Sequence, residues 1–167
     1  MASRIATRAP KAVASPPLET ETSSVLHDAA HYPGGTAAGV IRPRSIDEVS
    51  ACLREGGRIL VVGAQSSLTG GATPFGDVVL STDRLNSIAI DGDRVRVGAG
   101  VPLQVVQDQL AKTGRWFPPV PTYLGAFAGG AVATCAAGAA TFKYGTVRDW
   151  VAGLTIVLAG GVIFPAQ

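Results

Sequence analysis

The stretch Val61-Val62-Gly63-Ala64-Gln65-Ser66-Ser67-Leu68-Thr69-Gly70-Gly71 continues the apolar run Arg58-Ile59-Leu60-Val61-Val62 without a gap. A short apolar run bounded by turn residues reads as a buried strand, so the glycine-rich segment is the turn that leaves it. Gly63, Gly70 and Gly71 are free to take positive φ, which lets successive amides converge on one point, and Ser66, Ser67 and Thr69 add hydroxyl donors. Such a concavity suits a phosphate or pyrophosphate. A plain loop between two strands accounts for the same residues. Two familiar phosphate designs are excluded: no Gly-Lys-Ser/Thr follows Gly63 at P-loop spacing, and Gly98-Ala99-Gly100 runs into Val101-Pro102-Leu103 without completing a dinucleotide fingerprint.

The chain of 167 residues has room for one modest domain. Residues 1–30 read as a disordered tail and 31–167 as the domain. The tail carries Arg4, Arg8 and Lys11 with no acid before Glu19, but it lacks an apolar core of signal-peptide length, and Pro10, Pro16 and Pro17 interrupt any helix. Fourteen basic and 12 acidic residues, mixed along the chain, leave a net charge of +2, so nucleic acid is not the expected partner. Glycine numbers 21, against about 12 for average usage at this length. The excess lies at Gly63 to Gly76 and Gly125 to Gly138, so backbone is expected to meet the ligand. Cys52 and Cys135 form no CxxC and have no nearby pair of histidines, which argues against a zinc site or a disulfide framework and for a reducing cytoplasm.

In chain order, Gly39-Val40-Ile41-Arg42 predicts a strand closed by Pro43. Ser45-Ile46-Asp47-Glu48 predicts a capping box opening a helix that Gly56-Gly57 stops. With the strand ending at Val62, this is a right-handed βαβ candidate. Asp77–Ser81 reads as a strand, and Ile88-Ala89-Ile90 and Val95-Arg96-Val97 around Asp91-Gly92-Asp93 as a hairpin. Pro102 suits the first position of a helix that buries Leu103, Val106 and Leu110 and ends before Gly114. Pro118, Pro119 and Pro121 force an extended path. Leu124 to Phe142 has no charged residue, but its few large apolar side chains and its glycines suit tight backbone packing beside a ligand better than a membrane span. Val151–Leu158 reads as a last strand, turning at Gly160-Gly161 into Val162-Ile163-Phe164.

Four motifs in register carry a resemblance. They are Val62 to Gly71, Gly98-Ala99-Gly100, Gly129-Gly130-Ala131-Val132-Ala133-Thr134-Cys135-Ala136-Ala137-Gly138, and Lys143-Tyr144-Gly145-Thr146-Val147-Arg148-Asp149. Over residues 32–161 the chain resembles the FAD-binding domain of FAD-linked oxidases of the vanillyl-alcohol oxidase and p-cresol methylhydroxylase type. Within that family it is most similar to the branch of glycolate oxidase flavoprotein subunits and D-lactate dehydrogenases. The implied fold class is α+β: a small parallel βαβ subdomain plus a mixed or antiparallel sheet covered by helices, incomplete at its C-terminus and without a substrate cap domain.

The resemblance implies FAD as cofactor, with the pyrophosphate on backbone amides of Gly63, Ala64, Gln65, Ser66, Ser67, Leu68 and Thr69. It places Pro121, Thr122, Gly129 and Gly130 beside the isoalloxazine and ribityl part, and Thr134, Gly138 and Thr141 at the rest of the dinucleotide's bed. No catalytic residue and no metal ligand is assigned. Relatives commonly have Thr-Ile-Gly-Gly where this chain has Phe127-Ala128-Gly129-Gly130, and Asn at Cys135, so those side-chain contacts do not carry over. Some relatives tether FAD through a loop His; here Gln65 and Ser66 stand in that region, which implies dissociable FAD.

The implied function is the FAD-binding domain of an oxidoreductase for a 2-hydroxy acid of the glycolate or D-lactate type, with substrate groups from a cap domain or partner chain. The alternative is an inactive fragment or split-gene half that only binds FAD or assembles. His27 and His31 are expected at the surface of a loosely structured lead-in. Cys135 is expected in buried small-residue packing with no base or charge nearby. Tyr144 is read as packing or touching the ligand, and Arg148-Asp149 as a local ion pair.

Overall fold

The computed structural model describes residues 12–166. Its centre is a three-stranded parallel sheet of β1 (Thr36–Ile41), β2 (Ile59–Val62) and β3 (Phe75–Ser81), in the order β1-β3-β2. The expected strand, helix, strand unit is present, but its two strands are not neighbours. β3 lies between them, with Val40 opposite Val79 and Leu60 opposite Val79 from the other side. Parallel neighbours require a long crossover. Between β2 and β3 that crossover is residues 63–74, the glycine-rich loop itself, which therefore leaves the carboxyl end of the edge strand β2 and returns into the central strand β3.

Helix α1 (Ile46–Glu55) starts where the capping residues predict. Ser45 Oγ accepts from the Glu48 amide at 3.2 Å, while Glu48 Oε2 accepts from the amide of Arg44 at 2.7 Å, one residue ahead of the usual box partner. Gly56 and Gly57, both at positive φ, end the helix. One sheet face packs Ile41, Leu80, Ile59 and Val78 against Cys52, Val49 and Leu53 of α1. Burial, then the nearby Glu55 charge, pushes the Cys52 thiol above its ordinary pKa.

The opposite face carries no α-helix among the described residues, only the single 3₁₀ turn Ser23–Val25. Val40, Val62 and Val79 are covered there by Val25, 4% exposed, from the lead-in. This corrects the expectation of a disordered tail up to residue 30. Glu19 pairs with Val40 through two backbone hydrogen bonds of 2.8 Å, and its carboxylate meets Arg42 at 3.1 Å and Arg84 at 3.6 Å. Asp83 joins Arg42 from the end of β3. A sheet with two apolar faces needs two covers, and burying one valine contributes about 1.5–3 kcal/mol. Residues 1–11, with Arg4, Arg8 and Lys11, lie outside the described residues.

The antiparallel part forms two separate hairpins rather than one sheet. Strands β4 (Ile88–Asp91) and β5 (Arg94–Val97) turn through Gly92-Asp93, where Gly92 alone has positive φ, the pattern of a type II′ turn. Helix α2 (Leu103–Ala111) follows, with Pro102 as its N-cap, one place before the expected first turn, and Leu103, Val106 and Leu110 buried. Leu124 to Phe142 holds only the short helices α3 (Ala128–Ala133) and the start of α4 (Thr141–Tyr144). No helix among the described residues is long and apolar enough to cross a membrane. After α5 (Val147–Trp150), the last hairpin is β6 (Leu154–Val157) with β7 (Ile163–Ala166), so the expected strand over 151–158 is shorter. It is joined to α1 where Ser50 Oγ donates to the Gly161 carbonyl.

Candidate functional site

The glycine-rich loop departs from the expected conformation in an informative way. Gly70 has φ +77°, but Gly63 and Gly71 do not lie at positive φ; the second left-handed residue is Gln65, at φ 48°. Its carboxamide offsets that cost: Nε2 donates to the carbonyls of Val25 and Ala72, both at 2.8 Å. The Gln65 carbonyl accepts from the Ala29 amide at 2.9 Å. The Gln65 side chain thus faces the protein, and only its amide remains for a ligand. Among the described residues, the amides of Ala64, Gln65, Ser66, Ser67 and Leu68 find no protein acceptor, whereas that of Thr69 reaches Ser67 Oγ at 3.3 Å. Five successive free donors in a partly covered loop form a cradle for a polyanion. Ser67 and Thr69 share a hydroxyl hydrogen bond of 2.9 Å. An open cleft of about 420 Å³ lies beside the far end of the loop, between Tyr32, Phe75 and Thr69–Gly71.

The second and third motifs meet each other. Gly129 donates to Ala99 O at 2.9 Å, Ala128 to Val101 O at 2.8 Å, and Leu103 to Ala126 O at 2.9 Å, so residues 126–129 zip onto 99–103. Phe127 brings this unit to the loop: a Cβ on Gly63 would lie 3.6 Å from Phe127 Cβ, an ordinary contact. Phe127, at the N-terminus of the helix that holds Gly129 and Gly130, thus lies against Gly63. The reason for two of the glycines is different from close approach to a ligand. A Cβ on Gly129 would stand 2.7 Å from Ala99 Cβ, and one on Gly138 would stand 2.1 Å from the Val120 carbonyl oxygen. Both serve contacts between segments of the chain. Gly130 differs: it is exposed, and a Cβ there would meet nothing within 4 Å.

Gly138 also ties Pro121 to Thr141, since its amide donates to Thr141 Oγ1 at 3.0 Å while its Cα packs at Val120–Pro121. Thr122 is exposed. The Thr134 hydroxyl turns back to the Gly130 carbonyl at 2.8 Å. The hydroxyls of Thr134 and Thr141 are thus both engaged locally.

Cys135 is not in buried packing. It is partly exposed at φ 48°, a conformation that asparagine adopts more readily. A hydrogen bond with the Thr146 side chain, then one with the Arg148 backbone, holds its thiol below the ordinary pKa, and the nearby Arg148 charge, contrary to the expected lack of one, lowers it further. Asp149 does not pair with Arg148; its Oδ2 accepts from the Thr146 amide at 2.7 Å and hydroxyl at 3.0 Å, closing a capping box on α5. Those bonds, the backbone one first, hold its carboxyl below the usual range. Tyr144 packs edge-on against Trp116 at 5.1 Å, with Lys143 over its ring. His27 and His31 are exposed, yet their segment is bonded to the glycine-rich loop rather than loose.

The family described as FAD binding domain matches residues 37–166. D-lactate dehydrogenase of Archaeoglobus fulgidus is 39% identical over 131 residues, which are 74% of this chain and 30% of that protein. D-2-hydroxyglutarate dehydrogenase of Xanthomonas citri is 35% identical over 71% of this chain and 27% of its own length. The crystal structure of 6-hydroxy-D-nicotine oxidase from Arthrobacter nicotinovorans superposes with a TM-score of 0.75 at 24% identity, covering 95% of this chain and 36% of that one. The chain thus spans about a third or less of the proteins it matches.

Proposed function

Because this chain belongs to the FAD binding domain family over residues 37–166, we propose that it holds FAD non-covalently as the cofactor-binding part of an oxidoreductase for 2-hydroxy acids. The observation that carries the placement of FAD is the row of acceptor-free amides from Ala64 to Leu68 at the carboxyl end of β2. Gly63, Ala64, Gln65, Ser66, Ser67, Leu68 and Thr69 receive the pyrophosphate. Each charge-assisted contact contributes about 1.5–3 kcal/mol before ordering costs. Pro121, Thr122, Gly129 and Gly130 flank the flavin end, and Thr134, Gly138 and Thr141 complete the bed, the two threonines by shaping backbone. FAD, when bound, supplies the electron acceptor for oxidation of a CH–OH carbon. The chain's own part is to bind, orient and shield.

No histidine stands in the 63–71 loop, so the flavin is expected to dissociate. Purified protein turns yellow with FAD, and acid precipitation leaves the flavin in the supernatant; colour that stays with the pellet sinks the non-covalent assignment.

Both relatives above act, by name, on 2-hydroxy acids, which supports that substrate class. Such an oxidation also needs a carboxylate anchor and a base within hydrogen-bond reach. The segment Leu124–Phe142 beside the loop contains no charged residue, which favours a second component, either a cap domain or a partner chain, as the source of those groups. This chain alone, saturated with FAD and mixed anaerobically with glycolate or D-lactate, is expected to bleach no faster than free flavin. Faster bleaching shows that the site needs no second component.

A further inference from the structure

We propose that Gln65 and Asp28 are positioning residues that lock the glycine-rich loop in its anion-binding shape, making the lead-in ahead of β1 a working part of the cofactor site. The proposal rests on the assignment of that loop to FAD. Gln65 occupies a left-handed backbone conformation at φ 48°, which glutamine adopts less readily than glycine or asparagine. Its two amide hydrogens go to two carbonyls, Val25 O before the loop and Ala72 O after it, each at 2.8 Å. Carbonyls only accept, so the partners themselves fix which end of the carboxamide is nitrogen.

Asp28 supplies the other half. It is 3% exposed, with Oδ2 accepting from the Ala72 amide at 3.3 Å and Oδ1 from the Ala30 amide at 3.0 Å. The Ala29 amide between them donates to Gln65 O at 2.9 Å. Three lead-in positions, 25, 28 and 29, therefore hold both the entry to the loop at Gln65 and its exit at Ala72. The carbonyls of Gln65 and Ala72 are consumed on the protein side. The amides from Ala64 to Leu68 are left without a protein acceptor among the described residues. A loop pinned at its entry and exit, with a run of amide donors left free between them, is pre-organised for an anion, and a bound phosphate then pays little for ordering it.

A glycine at 65 separates positioning from mere tolerance of the backbone angle. Gln65→Gly removes the conformational cost while losing both carboxamide bonds, so if the side chain only endures its φ, the variant is neutral or better. The proposal expects FAD affinity, from quenching of flavin fluorescence, to fall at least tenfold in Gln65→Gly and in Gln65→Ala. Gln65→Glu, whose oxygens face two carbonyls, falls further. Asp28→Ala is expected to lose about as much as Gln65→Gly, and Asp28→Asn, which keeps one oxygen acceptor, to regain part of it. Titrations are made where circular dichroism shows each variant fully folded, and Gln65→Gly relieves backbone strain, so its folded state remains available for the measurement. Affinity of Gln65→Gly within twofold of wild type overturns the proposal, as does an Asp28→Asn variant no better than Asp28→Ala. Absence of FAD binding by the wild-type chain overturns the assignment of the loop itself, and the proposal with it.

Discussion

Gly129→Val is expected to abolish flavin binding and lower the melting temperature by about 6–12 °C, whereas Gly130→Ala, one residue on, keeps the fold. The two glycines sit side by side in α3 but face different things. A Cβ at 129 would meet Ala99 Cβ at 2.7 Å and the Ala99 Cα and carbonyl oxygen at 3.0 Å. The Gly129 amide bond to that carbonyl would have to open, together with its neighbours along 126–129. Overpacking of this kind and one lost hydrogen bond amount to about 3 kcal/mol. Phe127, which carries this unit to Gly63, would shift with it. At 130 a Cβ meets open space, and in a helix alanine is favoured over glycine by about 1 kcal/mol. Gly130→Ala is therefore as stable as wild type or more so, yet tenfold weaker for FAD, because the space it fills is the one assigned to the flavin end. Thermal melts and flavin titrations on both variants decide the matter. A wild-type melt for Gly129→Val removes the junction with Ala99, and undiminished affinity in Gly130→Ala moves the flavin away from this face.

Much of this architecture is legible in the sequence because local rules and tertiary demands agree. The Ser45 cap, the Gly56-Gly57 stop, the Gly92 hairpin and the Leu103, Val106, Leu110 stripe each satisfy a short-range requirement at the place it arises. The place of β3 between β1 and β2 is not local, since nothing within a strand states which neighbour it takes. The lead-in was hidden for a related reason. Its proline and alanine content resembles a solvated tail, and the signal that could have found it lies elsewhere: Ile59-Leu60-Val61-Val62 and Val78-Val79-Leu80 are apolar on both faces, while α1 can cover only one. Val25 is the second cover. At the candidate site, glycine content located the loop but misassigned its turns. Positive φ was expected at Gly63 and Gly71 and is found at Gln65, because the Val25 and Ala72 carbonyls and the Ala29 amide give that side chain and backbone partners that composition does not reveal. The same holds for Cys135, whose neighbours Thr146 and Arg148 arrive from the following motif.

Gly70→Val is expected to cost at least a hundredfold in FAD affinity while leaving the fold near its wild-type melting temperature; Arg96→Ala changes neither. Gly70 stands at φ +77°, and a Cβ there would crowd the Tyr32 ring and Cβ at 3.3 Å. A β-branched residue in this conformation costs about 1–3 kcal/mol, more than a surface loop can hold in place, so the loop relaxes. The parallel sheet stays, because Gly70 lies in the crossover and its carbonyl holds only the local turn to Thr73, at 3.1 Å. What relaxes is the convergence of the upstream amides. Losing two charge-assisted contacts removes about 3–6 kcal/mol, roughly a hundredfold to ten-thousandfold in Kd. Arg96 is exposed on β5, opposite Ala89, in the hairpin rather than in any of the four motifs. Fluorescence titration of the two variants against wild type reads the difference directly. Equal affinity in Gly70→Val and Arg96→Ala means that the crossover between β2 and β3 is only a connection, and that FAD is held elsewhere on the domain.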